Sequence, residues 1–186
     1  MWLKGDIALI AELIYRLRNE EEDAFSVICE LYGCITDDMK ENCEALAVAD
    51  EMWSWYASAV DSGVYEYYEN CSDMALMKET ADALKEYGCE QFSNAYLRGT
   101  QVLIPLIKSS GSDMVNNEEI MSFSRKMADY LDEYEFEICE TIKDYLLDNY
   151  DMICEYEGVE ISDMNEGSEE IADIFDILSQ RELDED

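Results

Sequence analysis

The chain has 186 residues, 48% of them hydrophobic types, and sets 46 Asp and Glu against 12 Lys and Arg for a formal net charge of -34 with no histidine. Apolar material on this scale, with 13 tyrosines and 3 tryptophans, excludes a disordered acidic tail. The charge excludes direct binding to nucleic acid or anionic lipid, whose phosphates need Lys and Arg.

The first stretch, 1–17, is rich in apolar residues but is interrupted by Lys4, Asp6, Glu12 and Arg16, and its longest apolar run, Ile7 to Ala11, is only five residues. It reads as an amphipathic first helix over 6–19, and neither as a leader nor as a membrane span, which predicts a cytoplasmic protein. A single proline, Pro105, and 8 glycines leave helices open almost everywhere after that first helix. Helices are expected over 21–32, 38–60, 63–69, 73–87, 90–108, 117–156 with room for one break, and 162–178. Strands find no good place. The punctuation is Gly33, the run Asp61-Ser62-Gly63, Cys71-Ser72, Gly88, Ser109 to Ser112, and Gly158.

These elements predict an all-α protein: one domain over 1–186, a compact multi-helix bundle with a long acidic C-terminal helix. Charge changes across Ser109 to Ser112. Residues 1–111 hold 21 acids and 8 bases, and residues 112–186 hold 25 acids and 4 bases. Seven cysteines, at 29, 34, 43, 71, 89, 139 and 154, form no C-x-x-C pair and are odd in number. With apolar neighbours at helical spacing, they read as reduced thiols filling a core. Without histidine, and with no D-x-[DN]-x-[DN]-G loop, neither a zinc nor a calcium site is expected.

Self-repulsion at this net charge works against compactness, so a use for it is expected. A halophilic origin fits less well, because the chain keeps Trp53, Trp55, Phe25 and Phe92. Within 117–156, Glu133, Glu137, Glu140, Asp144, Asp148, Asp151 and Glu155 follow one another at steps of three and four. On one continuous helix they fall within roughly an 80° arc, opposite Tyr134, Ile138, Ile142, Tyr145 and Ile153. Such a row would span roughly 33 Å, close to one turn of B-DNA at ~34 to 36 Å. It is the expected partner-binding surface, facing a basic nucleic-acid-binding protein. One helix offers one row, so a homodimer is the expected source of a second.

From about residue 45 to 97 the chain resembles the DNA mimic protein nineteen family, a group of small bacterial proteins. The residues concerned run from Asp61 to Ser72, Asp-Ser-Gly-Val-Tyr-Glu-Tyr-Tyr-Glu-Asn-Cys-Ser, and from Asp82 to Cys89, Asp-Ala-Leu-Lys-Glu-Tyr-Gly-Cys. Gly63, Tyr67, Asn70, Ser72, Leu84 and Gly88 keep the family's places, while Asp61-Ser62 and Val64 depart from its Asn-Gly and Phe. Gly63 and Gly88 are expected at turns, and Asn70 as the cap of the helix that follows it. The resemblance implies an all-helical fold and, for the family's named member, an acidic dimer that imitates duplex DNA and sequesters a helix-turn-helix transcription factor.

The expected function is therefore inhibition of a basic DNA-binding protein, a transcription factor or a restriction or CRISPR effector, by occupation of its DNA-binding surface. The alternative is an immunity protein that neutralises a cationic toxin or nuclease. An enzyme is disfavoured, because no nucleophile motif and no phosphate-cradling glycine loop occurs. No cofactor motif is present either.

Overall fold

The computed structural model describes residues 4–19, 23–61, 63–70, 73–110 and 118–157, and among them all regular structure is helical, with no strand. The first helix, α1 (Lys4–Asn19), buries Ile10, Leu13, Ile14 and Leu17, the three-and-four spacing that turns one apolar stripe inward. Its last turn carries Arg16 and Arg18, the end where cations suit the helix dipole. Arg16 pairs at 3.1 Å with Glu30 of α2 (Ala24–Cys34). That second helix starts where the Asp23 carboxylate accepts hydrogen bonds from the Ser26 amide at 2.9 Å and the Ser26 hydroxyl at 2.7 Å, bonds that hold its pKa below the usual value. It continues through Gly33, one residue past the expected break.

The helix expected over 38–60 is two helices, α3 (Asp37–Asn42) and α4 (Glu44–Asp61), parted by an extended Cys43 at φ -134° and ψ 102°. Asn42 donates its side-chain amide to the Asp38 carbonyl at 2.7 Å, and this local bond competes with helix propagation at the point where the chain turns. Helix α4 is apolar on nearly every side, burying Leu46, Ala49, Met52, Trp55, Tyr56 and Ala59. It can only be central. It packs against α3, α6 (Met74–Ala83), α8 (Glu118–Glu133) and α9 (Glu135–Asp148), so helices from both sides of residues 109–112 share one core.

Between α4 and α6, Gly63 takes φ +92°, a conformation that costs an L side chain roughly 1 to 2 kcal/mol, and the chain then enters α5 (Tyr65–Asn70). Asn70 does not cap the following helix as expected. Its side-chain amide donates to the Glu66 carbonyl at 2.9 Å, closing its own helix, and Asp73 caps α6 through bonds to the amides of Ala75 and Leu76. A π-helical turn, Leu84–Gly88, ends α6, and α7 (Glu90–Ser110) runs on through Pro105. Tyr67 donates to Glu51 and meets the Tyr96 hydroxyl at 2.6 Å, while Tyr68 donates to the Tyr96 carbonyl at 2.7 Å, binding α5 to α4 and α7.

The C-terminal helical segment is broken twice. Tyr134, at φ -111° and ψ 24°, separates α8 from α9, and Asn149, at φ -96° and ψ 11°, separates α9 from α10 (Tyr150–Glu157). The helix expected over 162–178 lies outside the described residues. Cys43, Cys139 and Cys154 are buried thiols, as the cysteine pattern suggested, while Cys29 is exposed. Among the described residues no helix is long and apolar enough to cross a membrane.

Candidate partner-binding surface

Helix α9 is amphipathic, and its inner face explains why its outer face is acidic. Ile138, Cys139, Ile142, Tyr145 and Leu146 are buried against α1, α2, α4 and the π-helical turn. The opposite side carries four of the seven expected partner-binding acids, Glu137, Glu140, Asp144 and Asp148, which stand together within an arc of roughly 80°. Glu133 ends α8, and Asp151 and Glu155 belong to α10. Regular rise and rotation therefore hold within α9 and stop at Tyr134 and Asn149. The seven do not lie along one uninterrupted 22-residue helix, and the comparison with a turn of B-DNA applies at most to the α9 portion.

Six of the seven acids are exposed, and Glu140 is half-buried beside Lys143, whose ammonium lies 3.2 Å away. Asp148 accepts a hydrogen bond from the Tyr87 hydroxyl at 2.6 Å. Among the described residues Glu137 and Asp144 have no ion-pair partner. Their negative charge is offered outward.

The stripe borders a feature the sequence did not show. Glu137, Glu140 and Asp144 line a cavity of about 280 Å³ with Tyr87, Phe92, Tyr134 and Phe136. Gly88 and Thr141 belong to the same lining, and a Cβ on Gly88 would stand 2.7 Å from Thr141 Oγ1 and 2.9 Å from Phe92 Cδ2. Glycine is needed for the π-helical turn to approach α9 so closely. The Tyr87 ring is fixed by its bond to Asp148 and by an edge contact with Tyr145 at 5.3 Å, and Phe92 meets Tyr134 edge-on at 6.0 Å. Phe136 is 72% exposed, more than any other large hydrophobic residue described. A phenylalanine between Glu135 and Glu137, on the polar side of an amphipathic helix, was the one sequence signal that could have found this cavity.

A second acidic concavity, of about 720 Å³, lies between α3, α4 and α6 and is lined by Asp37, Glu41, Glu44, Asp50, Glu51, Asp73 and Glu79, with Lys40 among them. Lys40 bridges Asp37 at 3.0 Å and Asp50 at 3.3 Å. Burial works against the charge of Lys40, but its bond to Asp37 and the charge of Asp50 outweigh that and raise its pKa. Asp50 is raised by its own burial, partly offset by Lys40. These acids come from separate helices without a shared period, so only the tertiary structure assembles them. Among the described residues no group of three or more Cys, Asp and Glu is placed to hold a metal ion.

Several neutral acids around the α9 face and the neighbouring core resist deprotonation, Tyr56 and Tyr145 among them, both raised chiefly by burial. The Tyr87 phenol is pushed up to about 12 by its bond to Asp148 and by burial. Tyr130 is pushed up to about 12 by burial and nearby negative charge. The Cys139 thiol is pushed up to about 12 by burial and by Glu135. Unfolded, these groups titrate near ~9 to 10. The folded state therefore holds its protons more tightly, and the stability involved is complete below pH ~9 and is lost as pH rises towards ~12. Melting temperature is expected to fall steadily over that range, with tyrosinate absorbance appearing together with loss of helical circular dichroism. Tyrosine ionisation well below unfolding would contradict it.

Fold and surface together define a helical, strongly acidic protein with an exposed carboxylate face beside an aromatic cavity. No protein-family model, curated protein or solved structure matches the chain.

Proposed function

We propose that this protein inhibits a basic DNA-binding protein in the cytoplasm by occupying its DNA-binding surface, without catalysis. The observation that carries the reading is the α9 face, where Glu137, Asp144 and Asp148 are exposed on a helix whose other side is locked into the core. A rigid row of carboxylates meets the Lys and Arg that would otherwise contact phosphates, and the net charge of -34 steers a cationic partner towards it. The resemblance of residues 45–97 to the DNA mimic protein nineteen family points the same way. The α3–α4–α6 concavity supports the reading further, since it supplies acids beyond the single row within one chain, in addition to any homodimer. The aromatic cavity favours one second reading, an immunity protein that plugs a cationic toxin by shape as well as charge.

The test is capture from native host lysate at low salt, eluted by a salt gradient, beside the variant Glu140→Gln, Asp144→Asn, Asp148→Asn, Asp151→Asn. The wild type is expected to retain a nucleic-acid-binding protein that duplex DNA displaces, and the variant to lose it. Equal recovery by both proteins would move the binding site off this face. A toxin that duplex DNA leaves bound would replace mimicry with the immunity reading.

A further inference from the structure

The geometry points to the cavity beside α9 as a receptor for one arginine side chain of the basic partner, an anchor that supplements the spread charge of the acidic face. This inference rests on the proposed function and names the chemistry by which that surface would select a partner.

The walls are largely apolar and aromatic, Tyr87 and Phe92 on the α6–α7 side and Tyr134 and Phe136 on the α8–α9 side, and the exposed acids Glu137 and Asp144 belong to the same lining. Aromatic faces attract cations through their quadrupole, and carboxylates pair with the forked donors of a guanidinium. Arginine suits the combination better than lysine, because its cation is planar, stacks on rings and is weakly hydrated, whereas an ammonium is compact and holds its water. At about 280 Å³ the cavity falls below the ~300 to 1,000 Å³ usual for small-molecule sites. One long side chain suits it better. A second copy of this chain is a poor occupant, since it brings the same net charge of -34.

The site is also preformed. Tyr87 is held by Asp148 and Tyr145, Tyr134 by Phe92 and by Tyr130 at 4.9 Å, and Thr141 donates to the Glu137 carbonyl at 2.7 Å. Of the two ring pairs only Phe136 stands largely in solvent, at the place where an incoming guanidinium would cover it. Buried Arg anchors ringed by weaker contacts are a common source of interface energy.

The experiment titrates the whole chain with N-acetyl-arginine amide, and separately with N-acetyl-lysine amide at equal ionic strength, following aromatic ring resonances by NMR. The arginine probe is expected to shift Tyr87, Phe92, Tyr134 and Phe136 saturably and to bind more tightly than the lysine probe. In Phe136→Ala its affinity is expected to fall about two- to fivefold, the range of one exposed cation–π contact. Phe136 is too exposed for this change to unfold the protein, and an unaltered melting temperature confirms it. Equal shifts by both probes, or indifference to Phe136→Ala, overturn the pocket and leave charge alone. Partner capture that succeeds while the rings stay unmoved overturns the pocket and spares the proposed function. Ring shifts with no capturable partner do the reverse.

Discussion

Replacing Gly99 with alanine is expected to lower stability by about 2 to 4 kcal/mol, although helix propensity alone favours alanine over glycine by ~1 kcal/mol. Gly99 lies buried in α7 with the Tyr68 ring across it, and an added Cβ would stand 2.1 Å from Tyr68 Cζ and 2.2 Å from its hydroxyl oxygen. The ring has nowhere to go. Tyr68 is 1% exposed, lies 4.9 Å edge-on from Tyr67, and donates to the Tyr96 carbonyl one turn before Gly99 in α7. Helix α5 would have to lift off α7, losing that hydrogen bond and opening the contact between α4, α5 and α7. At roughly 2 to 4 °C per kcal/mol for a chain of this size, the melting temperature should fall by about 5 to 15 °C. In a Tyr68→Ala background the same alanine should cost nothing further. A rise in melting temperature for Gly99→Ala in the otherwise wild-type chain would sink this account, and it is the outcome that local propensity predicts.

Salt is expected to stabilise the protein by an amount of similar size. Along the α9 face the successive like-charge neighbours Glu137, Glu140, Asp144 and Asp148 each repel the next by about 0.2 to 0.5 kcal/mol, and Lys143 is the one basic residue in the α9 sequence. A net charge of -34 spreads the same cost over the whole surface. The Debye length is ~30 Å at 0.01 M and ~8 Å at 0.15 M, so moving between these concentrations removes most repulsion between separated charges. Thermal melts in sodium chloride should shift upward by at least about 5 °C across that range and then flatten. Partner binding, if it uses these charges, should weaken over the same interval. A melting temperature that falls with salt would mean the acids are compensated within the fold.

Most of the helices were legible because one mechanism places them. Apolar residues at three-and-four spacing produced α1, α2, α6 and α7 near their observed bounds, and Ile138, Ile142, Tyr145 and Ile153 are buried where the period of α9 and α10 puts them. The breaks were less legible. Cys43, Tyr134 and Asn149 interrupt helices without glycine or proline, and at two of these breaks an asparagine, Asn42 or Asn149, donates its side-chain amide to the carbonyl four residues before it. The role of Asn70 was misplaced for a related reason, since an Asn side chain can close the helix behind it as readily as open the one ahead.

Composition and periodicity by themselves determined that this chain is helical, strongly acidic, and built with one side of its C-terminal helices in a core and the other in water. Those properties follow from residue type and neighbour spacing, which are local quantities. Only the tertiary structure decided that the acidic row is cut into segments and that α9 carries its central four acids. It also decided that Tyr87, Phe92, Tyr134 and Phe136 line an open cavity beside them, and that seven acids from α3, α4, α6 and the Asp73 cap of α6 share a second concavity. Close approach of distant helices makes these features, and it depends on what each helix buries against the others, through contacts such as Gly88 on Thr141 and Gly99 on Tyr68 that no local pattern encodes.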